Sequence, residues 1–439
     1  MNRRVPADAL RRVVAPVVAL SGMSVATSAW SEPASSEPPA LLAVGGELRE
    51  RFESTRNPVF GLPSPSRRSY LLHRAVIFAE ARIRTGVRAR LELASGTTSN
   101  WDPPAQATQE DPLDVLQAFI ETSMHVSGQE LSARVGRQEV ALGSARLVSN
   151  REGTSIRRVF DGVRVSASID GRQAISAFVL RPVIPATGVF DDHSSAAQRF
   201  WGVYFTRWSS RLVGAGFDAY YLGLDRESAP FAHETAREKR HTIGVRVFGE
   251  RSGLEWNGEA AWQGGTFGHR QIRAWTVSMD AGFRLTALPL TPRLGLKVDA
   301  ISGDRDPGDG HLDTFNPLFP KLPYFSDANL ATPANLLDVQ PSVRLAASPR
   351  LSVTVSWNGL WKHAREDAFY APVLLPVAGT RFSAGRHIGW QASAQVDWAA
   401  TDRMQLTATC VTFDPRSVIR ETGGKPGRFF AATLRWNFR

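Results

Sequence analysis

The chain has 439 residues, 43% of them hydrophobic, a formal charge of +10 and a single cysteine. No stretch approaches the ~20 consecutive apolar residues that a membrane helix requires, so helical membrane spanning is excluded. One cysteine excludes an intrachain disulfide framework, and at this chain length the placement of charge matters more than its sum.

The N-terminus reads as a targeting segment. Arg3, Arg4, Arg11 and Arg12 form a basic region, Val13 to Val25 is apolar with small residues, and Ala26 to Ala29 offers small residues for cleavage. A signal peptide over residues 1–29 is therefore expected. Arg11-Arg12 lacks the surroundings of a twin-arginine motif, which favours the general secretory route. Cleavage near Ala29 removes four Arg and one Asp and leaves a charge of +7. Residues 30–40, rich in Ser, Pro and Glu, read as a flexible lead-in.

From Leu41 onward the hydrophobic period is two. Leu42, Val44, Leu48 and Phe52 oppose Glu47, Arg49, Arg51 and Glu53, and Ala75, Ile77, Ala79 and Ala81 oppose Arg74, Glu80 and Arg82. Val87, Ala89, Leu91 and Leu93 oppose Arg88, Arg90 and Glu92. The pattern returns at 116–126, 254–263 and 275–285, and runs for eleven residues from Ile388 to Trp398. Such long amphipathic strands suit a wall with lipid on one side and water on the other. Cys410 shares the parity of Met404, Leu406 and Ala408, which points it at lipid. Trp390 and Trp398 share the outward face, and eight residues of tilted strand separate them by ~20 Å along the membrane normal, near the spacing of two aromatic girdles.

Short turns, such as Thr85-Gly86, Ser127-Gly128-Gln129 and Glu250 to Gly253, alternate with longer links. The longer ones are expected at 55–69, 95–112, 138–157, 181–199, 223–240, 302–332, 362–385 and 414–427. Short periplasmic turns and long external loops are the habit of outer-membrane barrels, and about eighteen strands, an even number, put both termini on the periplasmic side. The final strand, Arg428 to Arg439, carries Phe430, Ala432, Leu434, Trp436 and Phe438 on one face. Such an edge is safest when it pairs with the first strand and closes the barrel. The predicted fold is thus all-β, a transmembrane antiparallel β-barrel over residues 41–439.

Two blocks carry a family resemblance. The first runs from Arg134-Val-Gly-Arg137-Gln-Glu139 through Gly143-Ser-Ala-Arg146, Arg151-Glu152-Gly153 and Arg157-Arg158 to Phe160-Asp161-Gly162. The second is Thr314-Phe315-Asn316-Pro317-Leu318-Phe319-Pro320, followed by Tyr324-Phe325 and Pro333 to Asp338. In these the chain resembles the bacterial alginate-export family. The resemblance implies an eighteen-stranded barrel in the outer membrane of a Gram-negative cell, with an Arg-rich lumen through which an anionic polyuronate leaves.

Moving a polyanion through a pore needs fixed positive charge, distributed so that no one site traps it. Arginine suits this, because it stays charged and pairs bidentately with carboxylates. By parity the inward-facing candidates are Arg49, Arg51, Arg74, Arg82, Arg88, Arg90, Arg134, Arg164 and Arg246. Pairing with inward acids such as Glu47, Glu80, Glu92, Glu121 and Glu255 is the competing role for each of them. The link after Gln138, with Arg146, Arg151 and Arg157 and with Arg137 at its base, is a candidate constriction loop, in which Gly143 and Gly153 would serve sharp turns.

Other clusters are weaker. Asp304, Asp306 and Asp309 lie among glycines but lack the spacing of a calcium loop, so a solvated acidic loop is the preferred reading. Asp191-Asp192-His193-Ser194-Ser195 holds the residue types of a hydrolase triad without its geometry, and no nucleophile elbow occurs. The chain is read as a channel and not an enzyme, without cofactor. Its expected partners are the lipid bilayer, the outer-membrane assembly machinery and an anionic polysaccharide or small anionic solute; nucleic acid is not among them, and a monomer is expected. The alternatives are a general diffusion porin for small anions or sugars and, behind it, a barrel enzyme such as a lipase or protease.

Overall fold

The computed structural model describes residues 41–62, 66–100, 106–212, 214–231 and 234–439; the signal peptide and lead-in expected over residues 1–40 lie outside them. Eighteen antiparallel strands close into one barrel. In chain order they are β1 (Leu42–Arg56), β2 (Arg67–Arg84), β3 (Val87–Ser99), β4 (Asp111–Val126), β5 (Gln129–Gln138) and β6 (Phe160–Ile169). Next come β7 (Gln173–Ile184), β8 (Gln198–Trp208), β9 (Gly216–Pro230), β10 (Thr235–Arg251), β11 (Leu254–Phe267) and β12 (Arg270–Arg284). The ring is completed by β13 (Arg293–Ile301), β14 (Leu336–Ser348), β15 (Leu351–Trp361), β16 (His387–Ala399), β17 (Met404–Pro415) and β18 (Gly427–Phe438).

Closure is made by the two end strands, which pair from Gly46 opposite Phe438 to Arg56 opposite Arg428. Neither is left with an open edge for another chain to join. Parity decides which side meets what. Along β1, Val44, Leu48 and Phe52 are exposed on the outside, while Glu47, Arg49 and Glu53 are buried toward the lumen. On β18, Phe430, Leu434 and Trp436 are exposed in the same way. Trp398 is 48% exposed on the outer wall, and Trp390 stacks on Trp357 at 4.2 Å between ring centroids. Cys410 is exposed on that wall, opposite Phe430.

The periplasmic turns follow from local chemistry. At Ser127-Gly128 and Ser252-Gly253 both residues have positive φ, the mirror-image turn that matches strand twist, and glycine takes the second position. The expected link at 223–240 is largely strand, because β9 runs on to Pro230 and β10 begins at Thr235. Its residues keep pairing, with Asp225 opposite Lys239 and Arg226 opposite Glu238, so complementary side chains extend the ladder beyond the membrane.

The lumen is not polar throughout. Toward the external end, Phe160, Phe178, Leu180, Phe200 and Leu222 are buried on the inner side of β6 to β9 and pack with Phe319 from the 302–335 loop. Phe60 and Phe369 from two further loops join the same cluster. Long loops therefore fold into the mouth and build an apolar core there, which a strictly polar-inside rule does not anticipate.

Candidate conduit and its crossbar

Two loops meet inside the barrel. The 139–159 loop leaves β5 and runs inward, where Ser144 Oγ donates to Glu259 on β11 at 2.5 Å and Arg146 Nη1 reaches the same carboxylate at 3.4 Å. Farther along, the loop touches the other side of the ring. The Arg49 guanidinium on β1 donates to the carbonyl oxygens of Glu152 and Thr154, both at 3.0 Å. β1 and β11 lie almost diametrically apart in the strand order, so the loop crosses the lumen.

The 302–335 loop lies along it. Phe319 N–H donates to Leu147 O at 2.8 Å, Ser149 N–H to Phe319 O at 2.9 Å, Lys321 N–H to Ala145 O at 3.0 Å and Gly153 N–H to Leu322 O at 2.9 Å. These backbone bonds join residues 145–153 and 319–322 into a two-stranded crossbar. The cavity beside Arg146 and Glu259 has a volume of about 10 Å³, room for barely one water, so the crossbar seats on the wall there.

Two glycines fit it in place for different reasons. Gly143 has φ +54, and a Cβ there would stand 2.1 Å from Tyr204 Oη. Gly153 lies in the turn that Thr154 N–H closes on Arg151 O at 3.4 Å, without a positive φ, and it permits close approach, since a Cβ would lie 2.5 Å from Leu322 O. Arg151 itself is held at φ 56, an uncommon conformation for a residue with a side chain.

Glu152 anchors the far end. Its carboxylate accepts from Arg74, from Arg157 Nε at 2.6 Å and from Arg435 Nη2 at 2.6 Å. Burial alone would raise its pKa, but Arg157, Arg74 and Arg435 outweigh that and hold it well below the usual carboxylate range. Arg157 in turn reaches Glu47 at 3.0 Å.

The wall arginines are mostly matched. Arg74 pairs with Glu47 at 2.5 Å, Arg51 with Glu53 at 2.5 Å and Arg90 with Glu92 at 2.6 Å. Arg88 and Arg134 share Glu121 at 2.8 and 2.6 Å, and Arg246 meets Asp218 at 2.5 Å. Arg164 donates to Ser176 at 2.9 Å. Arg82 is exposed beside the β2–β3 turn, opposite Arg88 in register. Glu255 is taken up by Arg284 and Arg293 at 2.5 and 2.7 Å. Arg137 is not in the crossing loop: it sits on β5, with the outward parity of Val135, and bonds Asp161 beneath the 185–197 loop.

A different set has no acidic partner among the described residues. Arg151 donates to Thr154 Oγ1 at 3.2 Å and to Ile156 O at 3.5 Å, and Arg158 to Pro320 O at 3.4 Å while lying over the Phe319 ring. Lys321 stands 5.8 Å from the Tyr324 ring centroid. All three belong to the crossbar or its root. Burial pushes the pKa of Arg151 down to about 10, and burial together with Arg151 pushes that of Arg158 down. Burial, with Lys297 and Arg146 nearby, brings Lys321 down to about 7. Arg158 and Lys321 are half-buried, so both keep access, and Lys321 becomes fully charged as the pH falls below neutrality. Sequence parity missed both because they lie on loops, although Arg158 closes part of the first family block and Lys321 directly follows the second.

The minor clusters resolve as structure. Asp304 turns to Arg270 at 2.9 Å, while Asp306 and Asp309 accept from the backbone of their own loop at Gly308 and His311, so these three do not gather around an ion. Ser194 donates to Asp161, Asp192 accepts from Ala186 N–H at 2.7 Å and His193 Nδ1 lies 3.2 Å from Asp191 O; no relay forms.

Comparison with known proteins agrees with this fold. The family described as "Alginate export" matches residues 40–432. The fold is similar to OccK2 (OpdF) of Pseudomonas aeruginosa in complex with glucuronate, at 12% identity and TM-score 0.61, covering 90% of this chain and 96% of that one. It is also similar to Acinetobacter baumannii OccAB1, at 12% identity and TM-score 0.59 with 90% and 96% covered, and to P. aeruginosa OccK8 (OprE), at 13% and 0.58 with 90% and 98% covered. No curated protein matches by sequence. The protein is a β-barrel channel of the Gram-negative outer membrane. It belongs to the alginate-export family.

Proposed function

We propose that the barrel passes an anionic polysaccharide of the polyuronate type, or a smaller uronate-like anion, across the outer membrane. The observation that carries this reading is the crossbar cation set: Arg158 and Lys321, with Arg151 behind them, lie on a strut across the lumen and have no ion-pair partner among the described residues. Most of the wall arginines are already matched to acids, so a passing carboxylate finds counter-charge on the strut. Membership of the alginate-export family supports the polyuronate class, and the glucuronate bound by OccK2 is a uronate. Half-burial of the cations favours brief contacts over a deep trap, as conduction requires.

A general diffusion porin for small anions or sugars is the rival, and the similarity to porin barrels favours it. Planar-bilayer recording separates the two. Anion-selective reversal potentials in a salt gradient, with block by short oligouronates and none by neutral oligosaccharides of equal length, support the first reading. Equal indifference to both sugars removes it. The family and fold are of channel type.

A further inference from the structure

The outer wall carries a basic patch that conduction does not use. In register, Arg67 on β2 stands opposite Arg56 on β1, and Arg56 opposite Arg428 on β18. All three share the outward parity of Phe52 and Phe430, and all are exposed. Directly opposed residues of an antiparallel pair have Cβ atoms about 5 Å apart, where like charges repel. None of the three has a hydrogen bond or ion pair from its side chain among the described residues. A row of three unbalanced cations is unfavourable unless an anion settles on it.

Beside this row the wall opens into a recess of about 900 Å³, lined by Arg56, Arg428, Lys425 and Arg416 together with Trp357 and Trp390. The carboxylate on its lining, Asp414, is already held by Arg416 at 2.9 Å and Arg420 at 3.1 Å. The recess therefore keeps a positive surplus. Its height follows from β18. Arg428 lies eight residues from Trp436, which marks the periplasmic end on the same face, so the two are ~20 Å apart along the membrane normal. That places the arginines at the level of the external headgroups. Just below them, Phe52 and Phe430, 6.2 Å apart, are exposed to the hydrocarbon.

We propose that this recess binds the phosphorylated headgroup of an anionic glycolipid of the outer leaflet, with its acyl chains along Phe52 and Phe430. Arginine forks match phosphate oxygens bidentately, and a phosphate between Arg56 and Arg428 removes their repulsion. The lipid source is favoured over a soluble anion because the charged row borders an apolar surface that only membrane covers. The inference is independent of what the lumen carries.

The test is native mass spectrometry of the full barrel in detergent, titrated with bisphosphorylated lipid A, with dephosphorylated lipid A and with inorganic phosphate. The expected result is one saturable bisphosphorylated adduct, at least about tenfold weaker in the R56Q/K425Q/R428Q variant and without a dephosphorylated counterpart. Equal binding by the variant, or by the dephosphorylated lipid, overturns the proposal. Saturation by millimolar inorganic phosphate alone also overturns it, in favour of a soluble anion. Heat-modifiable gel mobility verifies the fold of the variant; should it misfold, Arg428→Gln alone and the three ligands on the unaltered barrel decide the matter.

Discussion

The wall from β1 to β5 and the crossbar that leans on it are both rich in arginine, yet they spend that charge differently. On the wall, Arg74, Arg90 and Arg134 each face a carboxylate at 2.5 to 2.6 Å. On the crossbar, Arg151 and Arg158 find hydroxyl and carbonyl oxygens, and Lys321 an aromatic ring. The first arrangement is structural: opposite charges zip neighbouring strands and, through Glu152, pin a loop that would otherwise sway in the pore. The second leaves charge available. Counting inward arginines thus overstates the pull on an anion, and only those lacking an acid should govern selectivity.

The largest effect should come from attacking the matched set. Replacing Arg74, Arg88, Arg90 and Arg134 together by Gln strands Glu80 and Glu121 and leaves Glu47 and Glu92 chiefly to Arg157, and removing one partner of a buried pair typically costs about 3–5 kcal/mol. Folded yield and thermal stability should fall sharply, and the barrels that do fold should turn cation-selective. Such a result would reflect orphaned acids and not the loss of anion sites.

Glu152→Gln should have the next largest effect. It weakens the joint that Arg74, Arg157 and Arg435 make with the crossing loop. The open channel should become noisier, with a higher mean conductance and little change in barrel stability, read from single-channel traces and thermal melts. A quiet, unaltered trace would show that the backbone bonds to Arg49 and Leu322 hold the crossbar unaided.

A smaller effect is expected from pH. Lys321, brought down to about 7 by burial, gains its proton as the pH falls through neutrality, so the anion-to-cation permeability ratio should rise between pH 8.5 and 5.5. One unit charge under partial screening is worth about 1 kcal/mol or less, so the rise should be roughly fivefold at most. Burial also pushes Asp192 and Asp304 up to about 6, and their protonation acts in the same direction. Lys321→Gln separates the terms by removing its share of the rise around pH 7, leaving those of the two aspartates and of Lys362, which burial brings down to about 8. Arg82→Gln should do least: at the periplasmic mouth, exposed and remote from the crossbar, it should leave reversal potentials nearly unchanged.

Most of the barrel was legible because a period of two is strictly local. Val44, Leu48 and Phe52 announce their side of β1 whatever lies across from them, and the Ser-Gly turns fix where strands reverse. The mouth was not legible. Phe178 and Phe200 face inward, and only the arrival of Phe319 from a loop more than a hundred residues away makes that burial favourable. The crossbar was half legible. Arg146, Arg151 and Arg157 stand in a stretch whose glycines suggested a shaped loop, but its second strand is distant in sequence, and Glu152 shows itself as the anchor only once three arginines converge on it. Arg137 misled for the converse reason, since proximity in sequence to the loop did not decide which face of β5 it takes.

Oligouronate block of single channels, in the R158Q/K321Q variant beside the unaltered barrel, shows which cations a passing anion meets. In the variant the block constant should weaken by about tenfold, near 1.4 kcal/mol, with thermal stability retained. A block constant that stays the same while the variant remains folded would contradict it, and would return the search for the anion path to the matched arginines of the wall.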